Sequence, residues 1–96
     1  MHVISYKAIR EYKRARPEAG SALDNWYRVA SSSRWASFGE LRKVFGSADW
    51  VNPYVVFNIR GNRYRLIAEV NFRSQTLFIR HILTHDEYAE GKWKKS

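Results

Sequence analysis

Three β-rich runs, residues 54–60, 63–71 and 76–83, follow one another with almost nothing between them, and no other feature limits the fold as strongly. Gly61-Asn62 separates the first two, a two-residue link suited to a tight hairpin that needs positive φ. Arg73-Ser74-Gln75 turns the chain into the third run. Parallel strands require a crossover of a dozen or more residues, so links this short imply an antiparallel meander. Period-two alternation puts Val55, Phe57 and Ile59 on one side, with Tyr64, Leu66, Ala68 and Val70, and then Leu77, Ile79 and Leu83. His81 alternates onto that apolar side and reads as a satisfied core histidine. The opposite side carries Asn58, Arg60, Arg63, Arg65 and Arg80, with Val56, Ile67, Phe78 and Ile82 among them.

That second side is unusual in its charge. Residues 55–83 hold five arginines, no lysine and one acid, Glu69. A merely solvated face would mix lysines and acids. Arginine pairs bidentately with phosphate and stacks on bases, so a phosphate-binding face is expected. The bland alternative, arginines tied up in ion pairs, is limited by the supply of acids. Across the whole chain, 17 basic residues against nine acids give a net charge of +8, which points to a polyanionic partner.

The N-terminal half reads as helical. Residues 1–4 suit a short edge strand, and Ser5 can cap a helix to about residue 15 with Ala8, Ile9, Tyr12 and Ala15 on one face. Pro17 stops it. Gly20-Ser21 opens a second helix in which Leu23, Trp26, Tyr27 and Ala30 recur at helical spacing, and Ser31-Ser32-Ser33 ends it. The pair forms a helical hairpin whose apolar stripe covers the apolar side of the sheet. Ser37-x-x-Glu40 has capping-box spacing for a short third helix pinned by Leu41, Val44 and Phe45. Residues 91–96 read as a flexible basic tail in which Trp93 can dock.

Ninety-six residues make one domain spanning 1–96, with a single modest core. Without cysteine there is neither a disulfide framework nor a thiolate metal site, and three scattered histidines argue against a zinc centre. Neither a cofactor nor a metal is expected. No apolar run approaches the roughly 20 residues of a membrane span, and no signal peptide is evident, so a cytoplasmic location is expected.

Two spaced motifs carry a family resemblance. Val56-Phe57-Asn58-Ile59-x-Gly61-Asn62-x-Tyr64-Arg65-Leu66-Ile67 and Ile79-Arg80-x-x-x-Thr84-His85-x-Glu87-Tyr88 resemble the HigB toxins of the RelE/ParE superfamily of toxin–antitoxin systems. The resemblance implies an α+β, RelE-like fold, with an N-terminal helical hairpin packed on a small curved antiparallel sheet and a short C-terminal helix. It also implies an mRNA endoribonuclease acting on ribosome-bound message, opposed by a HigA-type, helix-turn-helix antitoxin. RelE-type members use lysines beside their arginines, whereas no lysine lies between Lys43 and Lys92, which favours the HigB branch.

On that resemblance, Arg65 and Arg80 would bind the scissile phosphate. His85 would be general base on the ribose 2′-OH or acid on the leaving 5′-oxygen, or else a hydrogen-bonding residue of the turn. Tyr88 would stack on a base, assist proton transfer, or simply pack. Asn58, Arg60, Arg63 and Arg73 would contact RNA. Cleavage is expected by metal-independent 2′-OH attack. The rivals are a non-catalytic gyrase inhibitor on the same scaffold and a plain RNA- or ribosome-binding module.

Overall fold

The computed structural model describes residues 1–95, with only the backbone for Lys95. Three layers are present. Helices α1 (Tyr6–Ala15), α2 (Gly20–Ser32) and α3 (Phe38–Val44) lie on one face of a five-stranded sheet, and α4 (His85–Glu90) with a 3-10 turn, Lys92–Lys95, lies on the other. The strands are β1 (His2–Ile4), β2 (Asp49–Val51), β3 (Tyr54–Ile59), β4 (Tyr64–Asn71) and β5 (Thr76–Thr84), in the order β1-β5-β4-β3-β2. β3, β4 and β5 form the antiparallel meander expected from their short links. Two edges were less legible. β2 adds antiparallel to β3, while β1 pairs parallel with β5, so the sheet is mixed rather than purely antiparallel. The parallel pairing is possible because the whole helical half of the chain serves as its crossover.

The helical hairpin forms as its periodicity predicts. Ile9, Leu23, Trp26 and Ala30 are buried against Val55, Phe57, Leu66 and Leu77. The high aromatic content is spent here on edge-to-face contacts, Trp26 on Phe57 (5.3 Å between centroids) and Phe45 on both Phe57 and Trp35. Ser31, Ser32 and Ser33 each return a hydroxyl to a carbonyl four residues back, competing with the helical ladder where α2 ends. Ser37 caps α3 by accepting from the Glu40 amide, but of the three expected pins Val44 is exposed, while Leu41 and Phe45 turn inward.

One residue rearranges the faces of β5. The register runs Ile67↔His81 and then Ala68↔Ile79, so Arg80 is the extra residue of a β-bulge. Strict alternation therefore fails beyond it. Ile82 turns to the helical core, opposite Leu66, while Leu83 and His81 pair with Arg65 and Ile67 and belong to the other face. His81 is thus not on the helical-core side. Burial, and then the neighbouring Arg80 guanidinium, hold its imidazole below the usual histidine range.

The β3–β4 turn also departs from expectation. Positive φ falls on Arg60 (54°) and Gly61 (69°) rather than on Gly61 and Asn62, and the Arg63 amide donates to the Arg60 carbonyl at 3.3 Å. Farther along, Gln75 sits at φ 56° and its amide clamps the α2–α3 loop. It donates to the Trp35 carbonyl at 2.6 Å and accepts from the Trp35 amide at 3.2 Å. Truncating it strands both backbone groups, so Gln75→Ala is expected to cost about 2 kcal/mol in urea unfolding. A cost within the scatter of a surface substitution would mean that Trp35 packing alone holds the loop.

One polar cluster ties the two hairpin helices together, and a second bond ties the link between them to β4. Asp24 accepts from Lys13 at 2.8 Å and from the Tyr6 hydroxyl at 2.7 Å, and Glu18 accepts from the Tyr64 hydroxyl at 2.8 Å. Hydrogen bonds from Lys13 and then Tyr6 lower the Asp24 pKa, and the Tyr64 bond lowers that of Glu18. A carboxyl whose pKa is depressed by folding contributes stability that is present above its unfolded pKa and is lost as pH falls. The urea midpoint should therefore hold at neutral pH and decline once pH drops below the ordinary values of 4.5 and 3.8. Tyr64→Phe with Tyr6→Phe and Lys13→Met should flatten that decline; an unchanged acid slope would remove these clusters as its source.

Candidate nucleic-acid interface and its chemistry

The C-terminal segment decides the shape of the second face. Trp93, only 4% exposed, packs on Val56 and Ile67, with Tyr54 and Leu83 beside it. Its ring stacks on Tyr88 (centroids 5.3 Å apart, planes 14° apart), and its Nε1 donates to the Tyr88 carbonyl at 3.1 Å. Of the two expectations for residues 91–96, docking of Trp93 prevails over a flexible tail for the turn that carries it; Ser96 lies outside the described residues. The middle of the face is therefore covered, leaving its arginines at separate places.

At one end, four of the expected residues gather. Asn58 faces Arg65 across β3 and β4. The Arg65 guanidinium donates to the Asn62 carbonyl at 2.6 Å, lies 3.4 Å from His85 Nδ1 and sits 5.2 Å above the Tyr88 ring centroid. The stack Arg65–Tyr88–Trp93 thus runs from the sheet end to its centre. Because arginine only donates, the contact with His85 favours the imidazole tautomer that leaves Nδ1 to accept and places the proton on Nε2.

His85 is held there by backbone chemistry. Thr84 accepts from the Glu87 amide while the Glu87 carboxylate accepts from the Thr84 amide, a complete capping box at the start of α4. The His85 amide also donates to the Arg63 carbonyl at 2.8 Å. Two members of the closing motif, Thr84 and Glu87, are thus scaffold that aims two others, His85 and Tyr88.

The remaining residues fall elsewhere. Arg80, in the bulge, forms an ion pair with Glu69 at 2.9 Å and lies over the Phe78 ring, and it does not line the cleft that holds Arg65. Arg60 and Arg63 are exposed in the β3–β4 turn, close in sequence to Arg65. Arg73 sits in the β4–β5 turn beside Arg34 and Glu40, in a different depression.

Alternation in the strands did not reveal the other wall of the site. A cleft of ≈ 420 Å³ is lined by Asn58, Arg65 and Tyr88 on the sheet side and by Phe38, Arg42, Asp49 and Trp50 from α3 and β2 opposite. The only sequence signal for that wall was an aromatic on either side of a basic helix. Among the described residues, no three His, Asp or Glu side chains are grouped to hold a metal ion. No helix among them is long and apolar enough to cross a membrane.

Residues 19–91 match the HigB toxin family, described as the RelE-like toxic component of a toxin–antitoxin system. The chain belongs to the HigB family. The match to this family takes in all of the sheet except β1, together with the cleft. The chain is similar to the mRNA interferase HigB of Escherichia coli O6:H1, with 34% identity covering 92% of this chain and 88% of that one. It is 32% identical, with the same coverage, to the mRNA interferase toxin HigB of Escherichia coli K12 and to the mRNA interferase HigB of Shigella flexneri.

Proposed function

We propose that this HigB-family chain is an mRNA endoribonuclease that inhibits translation, acts on ribosome-bound message, and is neutralised by a helix-turn-helix antitoxin of the HigA type. The observation that carries the reading is the convergence of Arg65, His85, Tyr88 and Asn58 at one end of a strongly basic molecule. The names of the relatives support the same activity.

Cleavage proceeds by attack of the ribose 2′-OH on the adjacent phosphorus. The new O2′–P bond forms as the P–O5′ bond breaks, giving a cyclic phosphate and a 5′-hydroxyl. The 2′-OH loses its proton and the 5′-oxygen gains one. Arg65 neutralises the charge that builds on the non-bridging oxygens. His85 takes the 2′-OH proton as the neutral imidazole, or gives one to the leaving 5′-oxygen as the imidazolium, and water supplies the other half of the exchange. Tyr88 offers its ring to a neighbouring base or its hydroxyl to a proton relay, and Asn58 orients the phosphate or the 2′-OH. Arg80 joins the site by exchanging Glu69 for phosphate. Arg60, Arg63 and Arg73 hold the backbone on either side.

Primer extension on cellular message after induction tests the reading, followed by cleavage of a short message with and without ribosomes. Discrete cuts that survive EDTA and require the 2′-OH are expected. Intact message with arrested replication would instead favour a gyrase inhibitor.

A further inference from the structure

The far wall of the cleft carries an aromatic ring that the fold leaves in water. Trp50 is 46% exposed on β2, an edge strand of three residues. Edge strands are ordinarily blunted with charge or proline, and an indole does neither. A single exposed tryptophan would need no explanation; its surroundings distinguish this one. Phe38 packs against it with centroids 5.8 Å apart and planes at 59°, fixing the indole from one side. Arg42, oriented by donating to the Gly46 carbonyl at 3.1 Å, lines the same cleft, which continues to Asn58, Arg65 and Tyr88.

We propose that Trp50, backed by Phe38 and flanked by Arg42, is the stacking platform of a subsite for one unpaired RNA base beside the cleaved linkage. The proposal rests on the nuclease reading above. Trp50 is opposite Val55 in β3 and shares its face of the sheet, whereas Asn58, three residues farther on, projects from the other, so the cleft passes round the β2 edge and roughly 10 Å of strand separates the platform from the phosphate end. That offset suits a flanking nucleotide and not the one being cut. Every base offers a π-face, and the arginine adds a cation to the stack or a contact to the adjoining phosphate. A stack formed in the ground state and kept through the transition state acts on KM and leaves kcat nearly alone.

The test uses the full chain with ribosomes programmed by a short message containing the cleaved sequence, and by the same message with an abasic nucleotide at each flanking position in turn. Trp50→Ala should raise KM roughly 10- to 100-fold with little change in kcat, and Trp50→Phe should retain most of the affinity. In the wild type, one abasic position should cost as much as Trp50→Ala does, and in Trp50→Ala that same position should cost nothing further. A merely structural tryptophan would not show this non-additivity. The subsite is overturned if KM is unchanged in Trp50→Ala, or if every abasic message penalises both proteins equally. Should Trp50→Ala fail to fold, the abasic series on the wild type and Trp50→Phe decides, and indifference to all flanking bases overturns it. Binding of an uncleavable 2′-O-methyl message, read by indole quenching in the wild type against Trp50→Phe, separates the two readings. Base-dependent quenching without cleavage sinks the nuclease and keeps the platform, and cleavage without such quenching does the reverse.

Discussion

Replacing Arg65 by alanine is expected to lower the rate of message cleavage by about 10² to 10³, the loss typical of removing one preorganised donor from a developing anion. The fold should survive. Arg65 holds the Asn62 carbonyl of the β3–β4 turn at 2.6 Å, and giving up that bond costs about 1 kcal/mol, small beside the stability of a domain. Arg65→Lys should recover little of the activity. One ammonium cannot hold the Asn62 carbonyl, meet His85 and sit over the Tyr88 ring at once as the guanidinium does. Single-turnover cleavage with saturating enzyme measures the effect without confusing it with binding. Wild-type rates in Arg65→Ala would remove this residue from the chemistry.

Arg80→Ala is the informative companion. Its ion pair with Glu69 is half-exposed, so stability should change by less than about 1 kcal/mol. A kinetic loss as deep as that of Arg65 would mean that Arg80 leaves Glu69 for phosphate in the complex. A loss under about tenfold would leave it as the surface ion pair seen in the fold.

The second large effect concerns stability. Trp93→Ala deletes a buried indole that covers Val56 and Ile67, and truncations of this kind cost about 3–5 kcal/mol in well-packed sites. A value of about 3 kcal/mol is expected, or a fall in Tm of roughly 12–24 °C for a domain of this size. Cleavage should fall as well, since Tyr88 loses the ring stacked beneath it. Trp93→Phe keeps the stack and should restore most of both properties. If calorimetry finds Tm unchanged in Trp93→Ala, the segment does not hold the second face together.

How much of this was legible depends on the range of the physics involved. The hairpin helices, the meander and the apolar stripe follow from periodicities of 3.6 and two, which act between near neighbours in the chain. Thr84 and Glu87 are as local, since a capping box closes within one helical turn. Leu83, Ile82 and His81 went to the wrong faces because the bulge at Arg80 exists only relative to β4, and no count along β5 alone can find it. The arginine face was likewise read as one surface. Trp93, brought in from the end of the chain, divides it and leaves Arg65 in a cleft and Arg80 beside Glu69.

From the sequence alone came the α+β class, the basic character and the motif that aligns this chain with the HigB toxins. Those are properties of composition and short-range pattern. Tertiary structure alone decided the parallel edge strand, the company that Arg65, His85 and Tyr88 keep, and the wall of Phe38, Arg42 and Trp50 facing them. Contacts between segments distant in the chain are chosen by packing and pairing of the whole, and a one-dimensional pattern carries no register for them.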